Sequence, residues 1–135
     1  MLNKKEWMDA ALSAREQAYA PYSGYKVGAA LLGKSGKIYL GFNIENAAYS
    51  ATICAERAAF AAALTQGERE FEGIAIAGGK AQAESNVPPC GVCRQVMAEF
   101  CGPDFLVIWG NEEHREQHPL SELLPFSFSN KNLEE

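Results

Sequence analysis

Apolar residues in the first twenty positions recur at helical spacing. Trp7, Ala11, Ala14 and Ala18 follow one another at intervals of four, three and four, which places them on one face of a 3.6-residue repeat. Asn3, with Glu6 three residues later, supplies a capping-box-like start. The repeat breaks at "APYSGY", where Pro21, Ser23 and Gly24 are turn formers. "KVGAALLGKSGKIYLGFNI" then reads as two short strands around Lys34, Ser35 and Gly36, a loop of hairpin length with glycine where a positive φ is cheap.

An alanine-rich helix is predicted from about Cys54 to Thr65, stopped near Gly67. "FEGIAIAGG" is a nearly continuous apolar run of strand length, as expected for a strand covered on both faces. After the polar loop "AQAESNVPP", Val96, Met97 and Phe100 keep helical spacing up to a Gly102-Pro103 stop, and "DFLVIWG" is another buried strand. The remainder reads as a short edge strand, a helical turn at Ser121 to Leu124, and a tail holding Phe126 and Phe128. Helices alternating with strands predict an α/β fold, a three-layer α-β-α sandwich around a mixed five-stranded sheet. No repeat or linker interrupts the chain, and 135 residues suit one domain, so residues 1–135 are expected to fold as a unit.

Composition narrows the partners. A hydrophobic fraction of 47% and a charged fraction of 21% are ordinary for a globular chain. The net charge is -5, and Lys4, Lys5, Lys34, Lys37, Lys80 and Lys131 are dispersed, which disfavours a nucleic-acid polymer. "MLNKKEW" turns polar at once, and no apolar run approaches the roughly 20 residues that span a bilayer. The expectation is a cytoplasmic protein with no membrane partner. In that compartment disulfides are reduced, so Cys54, Cys90, Cys93 and Cys101 are left with metal binding or plain burial.

"PPCGVC" opens a predicted helix with a C-x-x-C pair, which alone fits half a zinc site, a redox pair or two unrelated core thiols. Its place after the third strand weakens the redox reading. Cys54, Cys90 and Cys93 together make three ligands, and three protein ligands with one open position is the catalytic zinc arrangement. Cys101 lies eight residues beyond Cys93, roughly 12 Å along the same helix at 1.5 Å per residue, and reads as a buried small apolar residue. His114 and His118 read as solvated, although either stays open as a fourth ligand.

Cys54 and Cys90 each fall at a predicted helix N-terminus, where the dipole and free N–H groups favour a thiolate. Glu56 is about 200° around an ideal helix from Cys54, so the two converge only if they occupy the first turn. The plain alternative is a first-turn glutamate that complements the dipole. Arg57, three residues from Cys54, is placed to offset the charge of thiolates on one zinc, or is an ordinary surface arginine.

Cys-Ala-Glu at 54 to 56 and Pro-Cys-x-x-Cys at 89 to 93 match the signature of zinc deaminases, in which a non-ligand glutamate serves as acid and base. "APYSGYKVGAALL", "GFNIENAAYSATICAERAAF", "PPCGVCRQVMAEF" and "SELLPFSFS" closely resemble the cytidine deaminase family, in particular its short homotetrameric bacterial type, from about Ala10 to Phe128. The resemblance implies one Zn²⁺ per chain on Cys54, Cys90 and Cys93, with Glu56 as proton shuttle and Arg57 bonded to the thiolates. It implies that Asn43 and Glu45 hold the ribose 3'-hydroxyl, in keeping with two polar residues spaced by two at a strand end; the plain alternative is a turn-forming asparagine and a solvated glutamate.

Tyr25 stands where the family often has a phenylalanine against the pyrimidine ring, which keeps the aromatic face and adds a hydroxyl. Phe128 matches a phenylalanine that reaches a neighbouring subunit's site, with Phe126 as competitor, and Ala47 and Tyr49 match a segment near the adjacent ribose. The implied activity is hydrolytic deamination of cytidine and deoxycytidine to the uridines with release of ammonia. Deamination of another aminated heterocycle or nucleotide, or a non-catalytic zinc-binding module, are the competing readings.

Overall fold

The computed structural model describes residues 2–134, so Met1 and Glu135 of the expected domain lie outside the described residues. Helix α1 (Lys4–Arg15) starts where expected: the Asn3 side chain accepts from the Glu6 N–H at 2.8 Å and donates to the Glu6 carboxylate at 2.9 Å. It ends earlier than the alanine stripe predicts, and Ala18 lies beyond it. Tyr19 explains why. Its N–H donates to the Asn43 carbonyl at 3.0 Å and its carbonyl accepts from the Glu45 N–H at 2.8 Å, and a helix at that position would forfeit both long-range bonds.

Strands β1 (Lys26–Gly33) and β2 (Ile38–Phe42) form the expected antiparallel hairpin, with Gly36 at φ 93° in its turn. They are followed by α2 (Ala55–Thr65), β3 (Phe71–Gly79), α3 (Gly91–Phe100), β4 (Leu106–Gly110), β5 (Arg115–Pro119) and a single turn, α4 (Leu120–Leu123). The sheet order is β2-β1-β3-β4-β5, and only β3 and β4 run parallel. A parallel pair needs a long crossover, and α3 with its preceding loop provides it.

Alternation along the strands builds the three layers. Ala30, Ala75, Ala77 and Ile108 face Trp7, Met8 and Ala11 of α1, and the Trp7 indole N–H donates to the Ala30 carbonyl at 2.7 Å. Ala29, Leu31, Ile74, Ile76, Val107 and Trp109 face the other way, toward α2 and α3. The alanines of α2 have a geometric purpose: Ala55, Ala59 and Ala63 are fully buried at i, i+4 and i+8. A Cβ on Gly41 of β2 would come within 2.9 Å of the Ala59 Cα. Small residues on both sides let this helix lie close against the sheet, and that approach sets where its N-terminus stands. Gly41→Ala therefore forces α2 outward; the expected loss is about 1–3 kcal/mol of stability with a parallel loss of bound zinc, measured by denaturant unfolding and metal analysis.

Candidate active site

Cys54 is the N-cap of α2 and Cys90 the N-cap of α3, both in extended backbone geometry. Neither makes a side-chain capping bond. Cys93 lies in the first turn of α3, buried. The two helix starts meet from the same side of the sheet, and the three sulfurs lie within 4.8 Å of one another. Cys54 and Cys90 are 3.7 Å apart. Two thiolates bound to one tetrahedral zinc at about 2.3 Å would be separated by about 3.8 Å, so the donor set, its spacing and its placement at two positive helix ends fit that ion.

The angular obstacle between Cys54 and Glu56 does not arise. Because Cys54 precedes the first helical residue, its extended ψ of 154° aims its side chain independently of the helical 100° step. Glu56 follows in the first turn and is only 4% exposed. Burial pushes its carboxyl up to about 7, the neighbouring Cys54 adds to this, and Arg57 opposes it.

The Arg57 guanidinium donates to the Cys54 sulfur at 3.7 Å and to the Thr52 carbonyl at 3.3 Å. Cys54 is drawn down to about 5, first by the bond from the Cys93 thiol and then by Arg57 and Cys90. The same bond, burial and the Glu56 charge push the Cys93 thiol up.

Glu56, Cys54 and Cys90 line a cleft of about 270 Å³ with Tyr25, Val27, Asn43, Thr52, Ile76, Asn86, Val87 and Pro88. Its size is just under the range of about 300–1,000 Å³ usual for small-molecule sites. Roomier hollows, about 510 Å³ at the end of α3 and about 540 Å³ beside His114, hold neither the thiol cluster nor a buried acid, so chemistry rather than volume assigns the site.

Asn43 reaches the cleft wall, but it also ties the chain to itself: its carbonyl oxygen accepts from the Val27 N–H at 2.9 Å and its amide donates to the Tyr25 carbonyl at 2.8 Å. Glu45 borders the adjoining hollow with Tyr22, Ser23 and Tyr49. It accepts from the backbone N–H groups of Tyr22 at 2.9 Å and Ser23 at 3.1 Å and from the Ser23 hydroxyl. Ala47, Tyr49 and Phe128 are exposed and lie outside the cleft of their own chain, and Phe126 is exposed with φ 53°.

Cys101 caps the far end of α3, where burial pushes its thiol up to about 12. His114 is exposed, as expected. His118 is half-buried instead, stacked on Trp109 and bonded to Glu122 and Glu116, which raise its pKa. Two features escaped the sequence reading. The "polar loop" before Cys90 buries Val87 and Pro89, an outcome hinted at only by the apolar Val-Pro-Pro ending. Arg94 holds the end of that loop, donating to the Pro89 carbonyl at 2.8 Å and to the Leu123 carbonyl at 2.9 Å; nothing but its spacing from Cys90 marks it.

A Cys-Ala-Glu that opens one helix beside a Pro-Cys-x-x-Cys that opens another, on a three-layer α/β sandwich with one buried acid in the cleft, defines a zinc-dependent deaminase. Residues 1–108 match the model of the cytidine and deoxycytidylate deaminase zinc-binding region. The cytidine deaminase of Sporosarcina psychrophila is 50% identical over 121 residues, covering 89% of this chain and 87% of that one. The enzyme of Halalkalibacterium halodurans is 48% identical over 124 residues, with 91% and 92% covered. The crystal structure of the Burkholderia pseudomallei cytidine deaminase superposes with a TM-score of 0.87 at 42% identity, covering 94% of this chain and all of that one. The chain belongs to the cytidine and deoxycytidylate deaminase family, and zinc is its cofactor.

Outer partners of metal ligands are worth about 10–100-fold in affinity. Arg57→Ala is expected to weaken zinc binding by that factor in a chelator competition, with the fold retained by circular dichroism.

Proposed function

We propose that this protein deaminates cytidine and deoxycytidine hydrolytically, giving uridine and deoxyuridine with release of ammonia. One observation carries the reading: the buried Glu56 carboxyl lines a cleft of about 270 Å³ with Cys54 and Cys90, whose sulfurs converge with that of Cys93. Cys54, Cys90 and Cys93 hold one zinc per chain, which supplies the Lewis acidity that lowers the pKa of water in the cleft toward about 7. Arg57, bonded to Cys54, offsets the negative charge that three thiolates leave on a divalent ion.

Glu56 is the proton shuttle. Its carboxylate takes a proton from the attacking water and delivers it to N3 of the pyrimidine as the oxygen bonds to C4; it then carries the remaining hydroxyl proton to the departing amine, which leaves as ammonia. A carboxyl whose burial lifts its pKa toward neutrality performs both halves of this transfer near pH 7. Tyr25 and Val87 present apolar walls to the base. Asn43, which keeps one amide N–H beyond its bond to the Tyr25 carbonyl, and Glu45 hold the ribose 3'-hydroxyl. An amide and a carboxylate suit a hydroxyl better than a phosphate, which favours nucleosides over nucleotides.

The chain acts as one domain, residues 1–135, and assembles as a homotetramer. The exposed rings of Tyr49 and Phe128, 80% and 61% accessible, suit burial by neighbouring subunits, where Phe128 with Ala47 and Tyr49 completes the adjacent site. Four unpaired thiols suit a reducing cytoplasm and a place in pyrimidine salvage. Among the described residues no helix is long and apolar enough to cross a membrane.

The reading is tested by ultraviolet loss of cytidine on mixing, with deoxycytidine, dCMP and cytosine in parallel. Turnover of both nucleosides is expected, and turnover of none of the four rules the cytidine reading out. Glu56→Gln should keep one zinc per chain and lose at least about 10³-fold in kcat, within the span of general acid–base catalysis; near-normal turnover would rule out the shuttle. Cys90→Ala should lose the metal and the activity together and unfold at a lower temperature, read by metal analysis and a thermal melt.

A further inference from the structure

Arg15 ends α1, on the face of the sheet opposite α2 and α3, yet it is only 6% exposed. Its guanidinium donates to the Gly79 carbonyl at 2.7 Å and to the Lys80 carbonyl at 3.1 Å. Its Nε is buried without a partner, and its one ion pair among the described residues is with exposed Glu16 at 3.5 Å. Sinking a guanidinium without a buried carboxylate is expensive, and an apolar side chain of similar size is often as stable or more so. Stability alone gives little reason for an arginine here.

What the guanidinium grips is the base of the loop that ends in the active site. Gly79 closes β3 at φ 154°, in the region that side chains rarely adopt. The chain then folds back, with the Glu84 N–H donating to the Gly78 carbonyl at 2.6 Å and the Asn111 amide to the Ala83 carbonyl at 3.2 Å. Asn86, Val87 and Pro88 follow as cleft wall. Val87 is seated where Gly78 has no Cβ, beside Val27 and Tyr25. The other end of the loop is held separately, by buried Pro89 and by Arg94, so Cys90 does not depend on Arg15.

We propose that Arg15 is a positioning residue for deamination: by clamping the Gly79 and Lys80 carbonyls it fixes the loop that sets Asn86, Val87 and Pro88 against the bound nucleoside. The proposal rests on the cytidine reading of the cleft. A wall held loosely weakens substrate binding, and displacements near 1 Å at such a distance are known to cost up to about 10²-fold.

The test compares zinc-loaded wild type, Arg15→Met and Arg15→Lys. Arg15→Met is expected to raise KM for cytidine about 10-fold with kcat within about threefold and one zinc retained per chain. Amide exchange from Glu84 to Val87 should quicken about 10-fold or more. Arg15→Lys, which reaches one carbonyl where arginine reaches two, should fall between. Wild-type KM and wild-type exchange in Arg15→Met overturn the proposal, as does loss of zinc with unchanged KM. If Arg15→Met does not fold, the lysine variant decides by the same two readouts, and failure of both to fold reduces Arg15 to a stabilising residue and overturns it. A wild-type protein that does not deaminate cytidine would sink the substrate reading alone, while exchange would still decide whether Arg15 holds the loop.

Discussion

The meeting of two helix N-termini at one point governs the rest of this structure. An N-cap is normally filled by serine, threonine, asparagine or aspartate, worth about 1 kcal/mol to the helix. Here both caps are cysteines that bond to no backbone N–H. The forgone capping is offset when the thiols become ligands, because a thiolate cluster lies in the favourable field of both helices and metal binding adds to folding free energy. For the two caps to meet, α2 must lie close to the sheet, and that is the reason for the alanine face opposite Gly41.

Charge balance follows from the same arrangement. Three thiolates on a divalent ion would leave one negative charge, and Arg57, bonded to Cys54, stands where it would offset that charge. Desolvation is the main influence on the Glu56 carboxyl, with the neighbouring Cys54 adding to it and Arg57 opposing it. A fully solvated glutamate would titrate near 4.3 and would be a poor acid at neutral pH. Burial of the first turn of α2 in the cleft, not the sequence Cys-Ala-Glu itself, lifts the carboxyl.

Local pattern carried much of this. The period of α1, the hairpin glycine, the apolar β3 and β4 and the two cysteine-led helices were legible because each is decided by residues within a few positions. What escaped depends on pairing between distant segments. Ala18 kept helical spacing, but Tyr19 pairs with residues 43 to 45 and ends the helix's claim on the chain. Asn43 reads as a ribose contact or a turn former, and neither reading shows that it ties the start of β1 to its own strand end. A last-turn arginine reads as a surface residue complementing a dipole, so nothing local foretold that Arg15 would be buried. His118 reads as solvated because its stacking partner, Trp109, belongs to another strand.

The wide separation of the ligands bears on the order in which the molecule assembles. Cys90 and Cys93 are neighbours in sequence and can gather an ion before the chain has folded, whereas Cys54 arrives from the other side of β3. It joins them only when β1, β3 and β4 are paired and both helices are seated on the same face. Such non-local contacts form late, after the entropy of closing the intervening chain has been met. A third thiolate from Cys54 would thus proofread topology: a misregistered chain would offer zinc the sulfurs of Cys90 and Cys93, and the native arrangement adds that of Cys54.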